Sequence, residues 1–243
     1  MIRQGVLLDR RGARLYIAAG ALAAACRAAP PPLVPLPLAP ADRGAAVAWA
    51  RTTAPAHPTA VRFRWRYQDA QKRWGGRGQA RIAPPDSLRF DYVGPLGLGA
   101  GAAVVVGDSA IWAEPEKNFR SLVPAVRMLW ASLGVARPPA ADAAVFGVEP
   151  GADAARGGGG VWRFVEGGDT LEYRETRRDG RVLEAEWRRA GTVMARSRTT
   201  FDARALPASA RVDFPEERAR FELTVVAVDT AAAFDPAIWR SRR

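Results

Sequence analysis

Residues 61–67 read Val-Arg-Phe-Arg-Trp-Arg-Tyr, and no other stretch of the chain restricts its fold so strongly. Val61, Phe63, Trp65 and Tyr67 fall on one side of an extended backbone, and Arg62, Arg64 and Arg66 on the other. A period of two in β-branched and aromatic residues describes a half-buried strand. After a turn at Asp69–Arg73, strand patterns recur in Gly76–Ile82, Leu88–Val93, Ala102–Val106 and Ser109–Ala113. They return in Val161–Val165, Thr170–Glu175, Arg181–Arg188, Val193–Phe201, Arg211–Phe214 and Arg220–Val226. Ala83–Ser87 and the glycine-rich Gly94–Gly101 read as loops, and Gly107-Asp108 as a two-residue hairpin turn. About ten strands with hairpin-length links predict a mainly β fold, one curved antiparallel sheet.

Two segments change period. An Ala-rich helix is expected over Asp42–Thr53, with Asp42 as its cap and Trp49 on the buried side. Phe119, Leu122, Val123, Val126, Trp130 and Leu133 recur at three- and four-residue steps, the pattern of one helix face. Ser121 can cap that helix, Pro124 is tolerated in its first turn, and Gly134 ends it. A Pro/Ala/Gly connection runs from Ala136 to Gly160, and Phe234 and Trp239 in the tail can pack a final turn on the body. The apolar side of the sheet carries Phe63, Trp65, Tyr67, Phe90, Tyr92, Trp112, Trp162, Phe164, Tyr173, Trp187 and Phe221. One convincing helix is available to cover them. The residues alone leave two readings open: a core packed solid beneath that helix, or an open barrel with an apolar cavity under a lid.

Composition removes most chemistry. The chain has one Cys (Cys26) and one His (His57), so no Cys/His zinc site and no internal disulfide can form. His57 lies in an Ala/Pro stretch that is a poor mount for a catalytic imidazole. Asp86, Asp108, Glu114 and Glu116 could supply a carboxylate pair for glycoside chemistry, but no pattern sets two of them at the needed separation. No catalytic group, cofactor or metal is therefore expected, and the chain reads as non-enzymatic. The net charge is +11, yet it is spread along the chain without a Lys/Arg run, and only Lys72 and Lys117 of the 36 cations are lysines. Alternating Arg and aromatic residues suit single-stranded nucleic acid when both lie on one face; here they lie on opposite faces. Nucleic acid is not an expected partner. Arg62, Arg64 and Arg66 read as a solvated outer face paired with residues such as Asp91, or else as a contact for anionic headgroups or an acidic carrier.

The N-terminus reads as an export signal over residues 1–25. Arg3 to Arg14 are basic, and Leu15–Ala25 form an apolar run too short to span a bilayer. Ala23-Ala24-Ala25 before Cys26 is similar to a bacterial lipobox, which makes Cys26 the expected lipidation site. Residues 26–42 follow as a tether with Pro30, Pro31, Pro32, Pro35, Pro37 and Pro40, a density that favours extended polyproline II. The folded domain is expected over 43–243. Arg27 stands where some bacteria place Asp for inner-membrane retention, so the expected location is the outer membrane, lipid-anchored and facing the periplasm.

Leu88–Gly101 (LRFDYVGPLGLGAG) adds a resemblance. A short helix precedes an Arg- and Trp-rich strand; a Pro-Asp loop, a strand and a GPLG loop follow, then a lid helix ending Leu-Gly-Val and a late Leu-Glu-Tyr-Arg strand. This order resembles the LolA/LolB-type lipoprotein carriers over most of Ala45–Val228, the LolB branch most of all. The resemblance implies an open half-barrel with a helical lid that binds acyl chains or lipoproteins. It also implies that the protein acts as a monomer at the inner leaflet of the outer membrane, supplied by a periplasmic carrier. The leucine that such proteins push into the membrane matches Leu96, with Leu98 as a second candidate. Glycines and a proline cannot form a core, so leucines on that loop are expected to be exposed. Phe63, Trp65, Phe90 and Tyr92, with Val126 and Trp130 of the lid, are the expected cavity lining. A related reading is a lipid- or partner-binding envelope lipoprotein of the same fold without insertase activity.

Overall fold

The computed structural model describes residues 38–240 except 98, 118, 120–125, 140–141 and 149–158. Cys26, the export segment, Leu98 and the residues 121–124 at the start of the expected lid helix lie outside the described residues. The strands are β1 (Ala39–Pro40), β2 (Thr59–Gln68), β3 (Arg73–Ala83), β4 (Ser87–Val93), β5 (Ala100–Val106), β6 (Ser109–Glu114) and β7 (Ala144–Val148). They continue with β8 (Val161–Glu166), β9 (Asp169–Thr176), β10 (Val182–Arg189), β11 (Thr192–Phe201), β12 (Pro207–Phe214) and β13 (Ala219–Asp229). All thirteen belong to one sheet in the order β1-β7-β8-β9-β10-β11-β12-β13-β2-β3-β4-β5-β6. Every neighbouring pair is antiparallel, and the end strands β1 and β6 do not pair, so the sheet is open.

The period-two segments become strands because each buries one face. In β2, Val61, Phe63 and Trp65 are buried and Arg62, Arg64 and Arg66 exposed. Helix α1 (Arg43–Thr53) starts where expected, since the Asp42 carboxylate accepts the Ala45 N–H at 2.7 Å. Such a cap contributes about 1 kcal/mol. Helix α2 (Val126–Ser132) buries Met128, Leu129 and Trp130. Gly134 ends it with φ at +81°, and Val135 N and Gly134 N donate back to Trp130 O and Ala131 O, both at 3.0 Å. These two bonds form a Schellman closure, which favours glycine at that position.

Three features depart from expectation. The connection Ala136–Gly160 contains a strand, β7, which pairs with β8 and β1. β1 brings Ala39 and Pro40 of the proline-rich stretch to the sheet edge, a place where proline is tolerated. Trp112 lies on the face opposite the apolar one, in register with Val104 and Arg89. There the Arg89 guanidinium stacks on it, and its Nε1 donates to Trp239 O in the C-terminal turn Pro236–Trp239 at 3.2 Å.

The core is one cluster between the inner face of the sheet and the two helices. The outer face is held by charge on its β8–β13 side. Glu172 sits between Arg163 and Arg174, Glu186 between Arg188 and Arg196, and Asp213 between Arg211 and Arg220, at 2.6–3.1 Å.

Candidate functional site

The inner face of β2–β5 is lined by rings laid flat on the neighbouring strand. Phe63 faces Gly78, Trp65 faces Gly76, and Tyr92 faces Gly101 across the ladder; on the far side Trp162 faces Gly147. A Cβ on Gly78 would lie 2.4 Å from the Phe63 ring, and one on Gly101 would lie 2.4 Å from the Tyr92 ring. Each glycine therefore makes the floor for a ring, as aromatic side chains do over glycines in exposed sheets. Phe63 stacks on Phe90 at 5.0 Å, and Trp65 meets Tyr92 edge-on at 5.9 Å. The Trp65 Nε1 donates to Arg77 O and Val93 O at 3.3 Å. The structure thus brings Phe63, Trp65, Phe90 and Tyr92 together in one buried array, with Trp130 buried and Val126 half-buried on α2.

Two helices pack on the inner face beyond these rings, α1 on the β7–β9 side and α2 against β10–β12. α1 lies over β8 and β9: Trp49 packs on Trp162 and Tyr173, each 6.2 Å away, and its Nε1 donates to the buried Glu175 at 3.2 Å. Arg181 and Arg177 hold the other oxygen of Glu175 at 2.8 and 3.2 Å. The Tyr173 hydroxyl accepts from Arg137 N and donates to Arg137 O, and burial holds its pKa far above the usual phenol range. α2 is held by different bonds. Thr199 Oγ1 donates to Ala131 O and Trp130 Nε1 to Gly107 O, both at 2.6 Å. Arg127 pairs with Asp108 at 3.0 Å and lies 3.7 Å from Glu166, joining the β5–β6 turn to the end of β8. Burial raises the Asp108 pKa, with Arg127 opposing it.

Tyr92 Oη, Trp162 Nε1, Trp187 Nε1 and Ser197 Oγ are buried without a hydrogen-bond partner among the described residues. Burial raises the Tyr92 pKa, so the phenol stays a neutral donor. An apolar groove of about 460 Å³ opens between the end of α1, the β3–β4 turn and the chain after α2, lined by Val47, Ala50, Pro85, Val135 and Pro138 among others. Its volume is in the range of small-ligand sites. None of the six expected lining residues borders it.

Leu96 is the middle residue of a 3-10 turn, Pro95–Gly97, between exposed Pro95 and Gly97. Gly94 N donates to Gly99 O at 2.7 Å and closes the loop. Of the four carboxylates considered for glycoside chemistry, Asp86 lies in the β3–β4 turn, where its backbone O accepts the Gly107 N–H. Asp108 precedes β6 and binds Arg127, while Glu114 and Glu116 stand at the other end of β6. Asp91 does not pair with the β2 arginines as the sequence suggested; Arg89 holds it at 2.9–3.0 Å and Arg81 takes its other side. The alternation gives away the aromatic row, but its glycine floor and the polar latches on α2 come from register between distant strands. The glycines at 76 and 78, two apart on one strand, were the available signal.

No protein-family model matches the chain, and no curated protein matches it. Two crystal structures are similar to it. One is a domain described as an outer membrane lipoprotein-sorting protein from Vibrio parahaemolyticus, with 9% identity and a TM-score of 0.51, covering 80% of this chain and 95% of that one. The other is a LolA superfamily protein from Nitrosomonas europaea, with 11% identity and a TM-score of 0.53, covering 79% and 94%. At such identities the likeness concerns architecture. The chain has the LolA-like fold, a single large antiparallel sheet that stays open, with its helices against the apolar face.

Proposed function

We propose that this protein is a non-enzymatic carrier that shelters the acyl chains of lipoproteins on its concave face and delivers them to the outer membrane. The observation that carries this reading is an open, apolar half-barrel covered by two short helices. In this reading Cys26 is lipidated, the domain faces the periplasm, and a periplasmic carrier hands over the cargo. The lipoprotein-sorting description of the Vibrio parahaemolyticus domain supports the same class of cargo. The groove beside α1 is the entry, and displacement of α2 uncovers the inner face of β10–β12. Burying Met128, Leu129, Trp130 and Leu133 contributes about 6–12 kcal/mol in total. One acyl chain of about 16 carbons, at about 0.8 kcal/mol per methylene, returns about 12 kcal/mol. The exchange is balanced for one chain and favourable for two. The Tyr92 hydroxyl can donate to an ester carbonyl of the guest.

Native mass spectrometry of the purified protein should show bound lipid or uptake of an added diacyl lipopeptide; neither bound lipid nor uptake rejects the carrier reading. Leu96→Glu should leave the thermal midpoint unchanged and block delivery of lipoproteins to the outer membrane. The close packing of Phe63, Trp65, Phe90 and Tyr92 favours a second reading, an envelope lipoprotein that binds lipid or a partner without insertase activity. Normal delivery by Leu96→Glu would select it.

A further inference from the structure

The convex face of β13, β2, β3 and β4 differs from the rest of the outer surface. Elsewhere on it arginines flank carboxylates, as at Glu172, Glu186 and Asp213. Arg64 and Arg77 instead stand directly opposite each other in the ladder, and Arg62 is two residues from Arg64 on the same face. Their row continues through Thr224, Ser209 and Thr200, which carry no charge. The nearby acids are engaged: Asp91 by Arg81 and Arg89, and Glu222 by Arg66 at 4.0 Å. Among the described residues, Arg62, Arg64 and Arg77 have no ionic or hydrogen-bonded side-chain partner. Like charges directly opposite on a sheet are destabilising, so the fold alone gives no reason for the pair.

The three arginines border an open groove of about 500 Å³, floored by Gly78 and Gln79 and walled by Val93 and Val226. Val226 occupies the extra position where β13 slips register between Val225 and Ala227, and it is 63% exposed. The surface is thus three unpaired guanidiniums around an exposed valine, with Asp91, whose charge Arg81 and Arg89 already hold, also in the lining. We propose that this face docks the protein on the phosphate headgroups of an anionic bilayer. Guanidinium forks match phosphate oxygens, and Val226 fits the apolar boundary beneath them. An extended peptide is the poorer fit, because β13, β2 and β3 are interior strands whose backbone groups are already used in the ladder. The inference is independent of what the concave face carries.

The test compares full-length protein and variants on phosphatidylcholine vesicles with and without phosphatidylglycerol, so that the shared N-terminal residues cancel. Each arginine near an anionic surface is worth about fivefold in affinity. Arg64→Gln with Arg77→Gln should therefore weaken binding to the anionic vesicles about thirtyfold and leave binding to neutral vesicles unchanged. The effect should fade at about 1 M salt. The thermal midpoint should not fall, since a like-charge pair is removed. A charge-matched control, Arg189→Gln with Arg204→Gln, removes two exposed arginines that pair with Asp169 and Asp202 and should change affinity less than threefold. Equal losses in both double variants, or no loss in the first, overturn the proposal. Loss of binding to polyglutamate with vesicle binding intact also overturns it, in favour of an acidic protein partner.

Discussion

Replacing Trp130 by Ala tests whether α2 is a lid or part of a permanent core. Trp130 is 1% exposed, its Nε1 donates to Gly107 O at 2.6 Å, and the Arg137 guanidinium sits 5.1 Å from its ring centre. Truncating such a side chain costs about 3–5 kcal/mol. If α2 opens as a unit, that loss falls on the closed-to-open step, and the apparent affinity for an acyl guest rises with the open population. At about 1.4 kcal/mol per factor of ten, the dissociation constant should drop between about a hundredfold and a few thousandfold while the open form stays minor. Titration with a fluorescent fatty acid reads the affinity, and urea unfolding reads the stability. Phe164→Ala is the control, because Phe164 is equally buried but packs on Tyr173 beneath α1. It should lose similar stability with no gain in affinity. A Trp130→Ala protein that loses the expected stability but binds the probe no better than wild type assigns the loss to global unfolding and refutes the lid.

Three further outcomes follow from the packing and the charges. Gly78→Ala would put a methyl 2.4 Å from the Phe63 ring and 2.6 Å from Asp91 O, and should cost about 1–3 kcal/mol in urea unfolding. Phe63→Leu should recover part of that loss, since the ring is one of the two obstacles, and purely additive losses would contradict the ring-on-glycine contact. Glu175→Gln removes the carboxylate shared by the solvent-accessible Arg177 and Arg181 and should cost about 1–3 kcal/mol. Glu184→Gln, which removes the exposed pair with Arg198, should cost less than about 1 kcal/mol by the same assay. Asp202 has a lowered pKa because its carboxylate accepts the Leu206 N–H and pairs with Arg204. The stability it lends is present above the ordinary carboxylate range and lost as pH falls through the lower folded value. The midpoint difference between wild type and Asp202→Asn should therefore be full above about pH 5 and vanish in strong acid.

The sequence shows its hairpins plainly where alternation and turn chemistry agree, as in Leu88–Val93 or around Gly107-Asp108. Strand β7 escapes because Gly147 replaces one of its inward side chains, and the space is filled by Trp162 of the next strand. The first turnings of β3, Arg73-Trp74-Gly75-Gly76, and of β12, Pro207-Ala-Ser-Ala, carry no apolar alternation; they are extended because β2 and β11 pair with them. Trp112 cannot be placed from its own neighbourhood, since the register slip at Val104/Val105 decides which face it takes. Asp91 shows the same limit for charge. Its partners are the residue two before it and Arg81 on β3, and the conspicuous Arg62-Arg64-Arg66 row is left to other uses.

The two covers of the concave face differ in how firmly they are fixed, and this decides where a guest could enter. α1 is tied by the Trp49 Nε1 bond to the buried Glu175, by the bond from Arg43 to Pro139 O and by Thr53 Oγ1, which accepts the Ala136 N–H at 2.8 Å. The ion pairs of α2 to Asp108 and Glu166 are partly exposed and worth little. Among the described residues, what remains is two neutral hydrogen bonds and the burial of its apolar side chains, the component that an acyl chain replaces in kind. The rings of Phe63 and Tyr92 rest on glycines of β3 and β5, away from the β10–β12 strands on which α2 packs. Withdrawal of α2 would therefore uncover the inner face of β10–β12 beside the groove that opens between the end of α1 and the chain after α2.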